Sequence, residues 1–162
     1  MALLKLHLDE FDEIDYDLIA IHSTIEDFRI AYFLNQKLAL SLAKSKDVFE
    51  IKIKEGDAFF YKFVFDDLKN EILWNLIPNK NEIVIKKEEL NHNLFLNTIE
   101  EVATNVYLLP ELKKVDYFLK IENNDGTFDT EQIIKKIKSI DRVASVYAVI
   151  PETIKSKNNL IF

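Results

Sequence analysis

The chain has no cysteine in 162 residues, which removes disulfides, thiolate metal ligands and a cysteine nucleophile together, and fits a reducing compartment. Glycine is nearly as scarce. Gly56 and Gly126 are the only two, against a usual share of about 7%. A phosphate-cradling loop needs several glycines so that backbone amides can approach the anion, and two isolated ones write neither the Walker spacing nor the dinucleotide fingerprint. Those two modes of nucleotide binding are excluded. Nowhere do eighteen apolar residues run together, and Met1 to Glu10 reaches Lys5, Asp9 and Glu10 before an export signal could form. The expectation is a cytoplasmic protein that neither spans a membrane nor is exported.

Cations are outnumbered, with 21 Lys and Arg against 28 Asp and Glu and a net charge of -7. A phosphate backbone is held by clustered cations, so nucleic acid is not an expected partner. The acid is concentrated in Asp9, Glu10, Asp12, Glu13, Asp15 and Asp17. That cluster lacks the glycine and the distal bidentate glutamate of an EF-hand loop and reads as a solvated loop. No metal and no cofactor is expected.

A chain of this length makes one ordinary domain, placed at residues 1–152 with a tail at 153–162. Its longest run with a helical period and no breaker is Ser23 to Ala43. Ser23 and Glu26 have capping-box spacing, which predicts a helix start at Ser23 or Thr24. At about 100° per residue, Phe28, Ala31, Leu38, Ala39 and Leu42 share the side expected to face the sheet, widened by Ile25, Tyr32 and Leu34. Phe33 and Leu40 fall instead among Glu26, Arg29, Gln36, Lys37 and Lys44. A solvated face has no need of them, so either a loop or the tail covers the pair or a second copy of the protein does. Asn35 interrupts the core stripe and reads as an amide satisfied by a neighbouring strand's backbone.

Elsewhere strand patterns dominate. Leu4, Leu6 and Leu8 alternate with Lys5 and His7, and Tyr16 to His22 leads straight into the helix. Val48 to Lys54 and Ala58 to Phe65 flank a turn at Glu55-Gly56-Asp57, and the second of these is apolar on both sides, as a central strand would be. Glu71 to Ile77 ends at Pro78-Asn79-Lys80-Asn81, and Glu82 to Lys86 is a short charged edge strand. The spacing of Leu90, Leu94, Ile99, Val102 and Val106 makes Lys87 to Tyr107 partly helical. Val115 to Ile121 is a strand, Asn123-Asn124-Asp125-Gly126 a turn, Thr130 to Ile140 a helix with Ile133, Ile134, Ile137 and Ile140 inward, and Val143 to Ile150 the closing strand. Ile14 to Leu18 before the first helix echoes Val115 to Leu119 before the last, giving two β-α-β units around an antiparallel middle. This predicts an α+β fold, a mostly antiparallel sheet with two main helices in a ferredoxin-like or related α/β sandwich with extra strands.

The string Leu109-Pro110-Glu111-Leu112-Lys113-Lys114-Val115-Asp116-Tyr117 resembles the signature of the bacterial family called IPExxxVDY, with leucine for the leading isoleucine and every other named position matching. Ile150-Pro151-Glu152 repeats only its first half. The resemblance implies a small protein of the Bacteroidota lineage, in a family with no assigned activity, cofactor or catalytic residue. Read physically, Pro110 fixes a turn, Glu111 caps or pairs locally, and Asp116 and Tyr117 open a strand, with a Tyr117 hydroxyl that needs a partner.

An enzyme would need a nucleophile with a base, a metal cluster or opposed carboxylates. Asp17 lies five residues before His22, and His22 adjoins Ser23, but neighbours on a strand point to opposite faces and a capping serine is already engaged. His7 and Asp9 share a strand face without further ligands, and His92 sits between asparagines. Leu160-Ile161-Phe162 are too apolar to leave in water, so they pack on their own domain or insert into a partner's groove or sheet edge. Three functions follow, in this order. The first is a non-enzymatic interaction domain that self-associates as a homodimer or binds a protein partner, through Phe33 and Leu40 or the tail. The second is a small-molecule sensor with its ligand near His22 and Asp17, and the third a hydrolase using His22.

Overall fold

The computed structural model describes residues 14–54, 56–88 and 99–162. Its elements run β1 (Tyr16–Ser23), α1 (Asp27–Leu38), β2 (Ala43–Lys44), β3 (Phe49–Ile53), β4 (Gly56–Phe60), β5 (Phe63–Asp67), β6 (Ile72–Pro78), β7 (Lys80–Glu88), β8 (Ile99–Tyr107), β9 (Tyr117–Glu122), α2 (Thr130–Lys138) and β10 (Val143–Val149). Short 3-10 turns lie at Pro110–Leu112, Pro151–Thr153 and Lys157–Leu160.

Six strands form one sheet in the order β10-β1-β9-β6-β5-β2, with every neighbouring pair antiparallel. β9 lies between β1 and β6, and β1 lies between β9 and β10, so β1 and β6, like β9 and β10, run parallel across an antiparallel strand; α2 joins β9 to β10 directly, and the path from α1 to β6 passes through β2 to β5. That is the β-α-β-β-α-β plan of the ferredoxin-like fold, extended by β5 and β2 and carrying β3–β4 and β7–β8 as inserted hairpins. The chain is an α+β protein with a mostly antiparallel sheet.

Residues on β1 alternate between two buried layers rather than between core and water. Ile19 and Ile21 face the helices with Trp74, Leu76, Leu119 and Ile121, against Ile30 and Leu34 of α1 and Ile133 and Ile137 of α2. Leu18 and Ala20 face the other way, with Ile77 and Phe118. This second layer is closed by Ile51, Ala58 and Phe60 of the β3–β4 hairpin, by Leu108, Leu109 and Val115 around the first 3-10 turn, and by Ile154 and Leu160. The segment 153–162 is therefore packed onto the sheet.

α2 follows its sequence. Ile133, Ile137 and Ile140 are buried, and the Asp129 carboxylate accepts the Glu131 N–H at 3.0 Å as its N-cap. α1 differs at both ends. Ser23 does not cap it but ends β1, where its N–H donates to Asp116 Oδ2 at 2.8 Å, its hydroxyl donates to the Arg142 carbonyl at 3.0 Å and its Oγ accepts the Ile25 N–H at 3.1 Å. With that oxygen engaged, Glu26 becomes the N-cap and makes no side-chain cap bond. The helix stops at Leu38 because Ala39 turns left-handed, φ 54°, and the N–H groups of Ala39 and Leu40 both return to the Asn35 carbonyl.

A helical period carried through to Ala43 therefore misplaced the faces. The buried residues of α1 are Ile30, Ala31 and Leu34, whereas Phe28 is 61% and Tyr32 57% exposed. Phe33 packs against the core and Leu40 is buried within it. Asn35 is satisfied by the segment leading to β2: its amide donates to the Leu42 carbonyl at 3.1 Å and its Oδ1 accepts the Leu42 N–H at 2.8 Å.

Two strand expectations are also corrected. Ala58 to Phe65 is not one central strand but breaks at Tyr61-Lys62, so that β4 pairs with β3 while β5 pairs with β6 and β2. The described part of Lys87 to Tyr107 is not helical. β8 pairs with β7 from Lys80 opposite Tyr107 to Glu88 opposite Ile99, which suits its β-branched Val102, Thr104 and Val106. Leu4 to Leu8, His7, Asp9 to Glu13, Leu90, His92 and Leu94 lie outside the described residues. No helix among the described residues is long and apolar enough to cross a membrane.

Truncation tests the assigned face of α1. Leu34→Ala should cost about 2–5 kcal/mol in urea unfolding, as a buried leucine does, while Phe28→Ala should stay within about 0.5 kcal/mol. Equal costs would mean that the two faces are misassigned.

Candidate functional site

The residues expected to form a ligand site are not brought together. Asp17 faces the helix layer, where its Oδ2 accepts from Asn124 Nδ2 at 2.9 Å and from Thr130 Oγ1 at 3.4 Å, holding the turn before α2. His22, five residues along the same strand and so on the opposite face, contacts the exposed Tyr147 hydroxyl at 3.2 Å. Ser23 is engaged three ways. The apolar interaction residues are likewise redistributed. Leu40 and Leu160 are core, Phe33 is partly buried, and only Ile161 at 72% and Phe162 at 36% reach the surface.

The motif residues do converge, on Asn79. This asparagine follows β6 and is completely buried. Its Nδ2 donates to the carbonyls of Leu112 and Val115 at 2.9 and 2.8 Å, and its Oδ1 accepts the Leu109 N–H at 3.0 Å. Its own N–H donates to the Asp116 carbonyl, and its carbonyl accepts the Leu108 N–H. From this hub Asp116 reaches Ser23, and the Tyr117 hydroxyl donates to the Ile25 carbonyl at 2.6 Å. Glu111 Oε1 accepts the Ser156 N–H at 2.8 Å. Burial alone would raise the Glu111 pKa, but backbone amides at Ser156 and nearby residues outweigh it and hold the carboxyl below its usual value.

Beside this hub a groove of about 390 Å³ is lined by Glu26, Asp27, Tyr61, Lys80, Asp116 and Tyr117. The Tyr61 hydroxyl donates to Asp27 Oδ2 at 2.6 Å. Burial, and then the Asp27 carboxylate, pushes the Tyr61 phenol up. Burial, and then Asp27, Asp116 and Glu26, raises Tyr117 to about 12. Both phenols stay protonated at neutral pH.

The larger cavity, about 490 Å³, lies on the opposite layer, lined by Tyr16, Lys120, Glu122, Lys157, Leu160 and Phe162 among others. Lys120 stands in the middle of β9 and is 4% exposed. Its Nζ donates to Glu122 Oε1 at 2.5 Å and to the Leu160 carbonyl at 2.7 Å. The signal for it was present in the sequence as a lone charge between Leu119 and Ile121 inside an expected strand. Among the described residues no group of three or more His, Asp or Glu side chains is arranged to hold a metal. Scans against protein-family models, curated proteins and solved structures each found no match to this chain.

Two measurements test the hub. Asn79→Ala strands buried groups on several partners and should cost roughly 3 kcal/mol or more, against about 1 kcal/mol for Tyr117→Phe, which loses one hydrogen bond. Glu111 adds a pH dependence. A carboxyl whose folded pKa is depressed contributes stability above its usual 4.5 that is lost as pH falls through the lower folded value. Thermal melts from neutral to acidic pH should show a shallower acid limb for Glu111→Gln, and an unchanged limb would remove this role.

Proposed function

We propose that this chain is a non-enzymatic interaction domain that self-associates, two copies meeting edge to edge along β10. The observation that carries the reading is the character of that edge. Among the described residues β10 pairs only with β1, and from Val143 to Pro151 there is no charged side chain. Tyr147 and Ile150 are exposed. An unpaired strand presents a row of free N–H and C=O groups, and monomeric proteins commonly blunt such edges with charge, proline or extreme shortness.

β2 and β7 follow that practice. β2 at the far edge is two residues long, and β7 carries Lys80, Glu82, Lys86, Lys87 and Glu88. β10 does not. Antiparallel pairing of a strand with its own copy about a twofold axis opposes identical segments, so an uncharged strand meets no like charge across the interface. In a chain of net charge -7, that strand is where two acidic molecules can approach most closely. Phe33 and Leu40 are not needed for this association, since they pack inside the fold.

Light scattering across a concentration series tests the proposal. The parent protein should be a dimer, and Ala144→Lys with Ala148→Lys, both at exposed positions of β10, should give a monomer of similar melting temperature. A parent that stays monomeric, or a double variant that remains a dimer, would overturn it.

A further inference from the structure

The face of the sheet away from the helices carries a polar island in an apolar layer. Lys120 is one member. Asn75 is directly opposite it in the β6–β9 pairing, so the two side chains leave the same face with Cβ atoms about 5 Å apart. Asn75 is 1% exposed, and neither its Nδ2 nor its Oδ1 has a hydrogen-bond partner. A buried amide left unpaired destabilises the fold. An apolar pair would cover this face without that cost.

The island is roofed by an aromatic ring. Phe162 stacks on Phe49 with centroids 4.6 Å apart and planes at 26°, and Phe49 stacks in turn on Phe60 at 5.8 Å. Two ammonium groups address the Phe162 ring, Lys62 Nζ at 4.1 Å and Lys120 Nζ at 4.8 Å from its centroid. The cavity is lined by Lys120 and Lys157 together with Asp15 and Glu122, and Lys62 reaches the Phe162 ring from beside that lining. Glu122 is already paired with Lys120, and among the described residues no carboxylate is ion-paired with Lys62. Burial holds the Lys62 ammonium below its usual pKa, with Lys120 adding to the effect and Glu122 and Asp47 partly offsetting it.

We propose that the slot beneath Phe162, at the rim of this cavity and flanked by Phe49, Lys62 and Lys120, is a binding site for a planar aromatic carboxylate, with Phe162 as a displaceable plug. The ligand's ring replaces Phe162 on Phe49, and its carboxylate bridges the Lys62 and Lys120 ammonium groups beside the Asn75 amide. Phe162 fills the slot with its ring, while among the described residues no side-chain carboxylate is ion-paired with Lys62. The site is independent of the β10 association, because none of its residues lies on that strand.

Titration of the full chain with anthranilate, followed by its fluorescence and by calorimetry, tests this. Anthranilate should bind the parent, and Phe162→Ala should bind it about tenfold more tightly. Lys62→Met should weaken binding about tenfold, the scale of one charge-assisted hydrogen bond, with the parent's melting temperature kept. Asn75→Leu should raise the melting temperature and lower the affinity. Aniline, which lacks the charge, and cyclohexanecarboxylate, which lacks the flat ring, should each bind at least about tenfold more weakly. No binding to Phe162→Ala at millimolar anthranilate would overturn the site. Equal affinity of parent and Phe162→Ala would overturn the plug, and undiminished affinity in Lys62→Met or for aniline would overturn the carboxylate contact.

Discussion

The central sheet is apolar on both faces, and the two helices among the described residues both lie on one of them. Leu18, Ala20, Ile77 and Phe118 would otherwise meet water on the second face, and burying side chains of this size contributes about 1.5–3 kcal/mol each for the large ones. Everything inserted into the β-α-β-β-α-β plan answers that demand. The β3–β4 hairpin brings Ile51, Ala58 and Phe60, the 3-10 turn after β8 brings Leu109, and the C-terminal segment brings Ile154 and Leu160. This is why the apolar end of the chain is folded back on its own domain. Its backbone is also satisfied there, since Lys120 donates to the Leu160 carbonyl.

Closing a sheet face with loops creates a second requirement, because loops bring backbone groups that no strand pairs. Asn79 meets it. One buried side chain satisfies two carbonyls and one N–H of the 108–116 segment, and the backbone of the same residue satisfies two more groups. The motif residues extend the junction outward, Asp116 and Tyr117 to the turn between β1 and α1, and Glu111 to the C-terminal segment at Ser156. Each polar side chain of the motif therefore has an architectural partner, and none of them needs a substrate to explain its presence.

What was legible in the residues depended on whether local pattern and tertiary demand agreed. α2 agreed: isoleucines three and four apart, lysines outside. β1, β6, β9 and β10 were legible as apolar alternations bounded by turns, and the paired β-α-β outline followed from them. α1 was misread because its period was extended through Ala39, where the backbone turns left-handed. That turn depends on Asn35, whose side chain and carbonyl gather Ala39, Leu40 and Leu42, and nothing in the spacing of apolar residues announces it. β8 was misread because Ile99, Val102 and Val106 fit a helical spacing while their partner strand lies about twenty residues earlier. Lys120 and Asn75 were legible only as lone polar residues within apolar strands; their shared face follows from a register that sequence does not state.

The sheet edge and the polar island concern different parts of the chain, and Pro151 keeps them apart. A proline lacks the N–H that a ladder needs, so pairing along β10 cannot continue past Ile150. The 3-10 turn at Pro151–Thr153 then redirects the chain onto the second face, where Ile154 is buried and the path to Leu160 begins. A copy docked on β10 meets backbone that is already extended and needs no rearrangement of the layer above Lys120. A ligand beneath Phe162 moves a ring two residues beyond Leu160, and the buried Leu160 side chain can stay in place while the ring leaves. The cost of opening the cavity is then confined to one stack on Phe49 and two cation–π contacts, at about 0.5–1.5 kcal/mol for the stack, about 0.5–1 for Lys62 and about 2 for the buried Lys120, and the ring of the ligand restores all three. That is small enough for the charge pairing of a carboxylate with Lys62 to offset, which makes Phe162 a ring that the site can exchange.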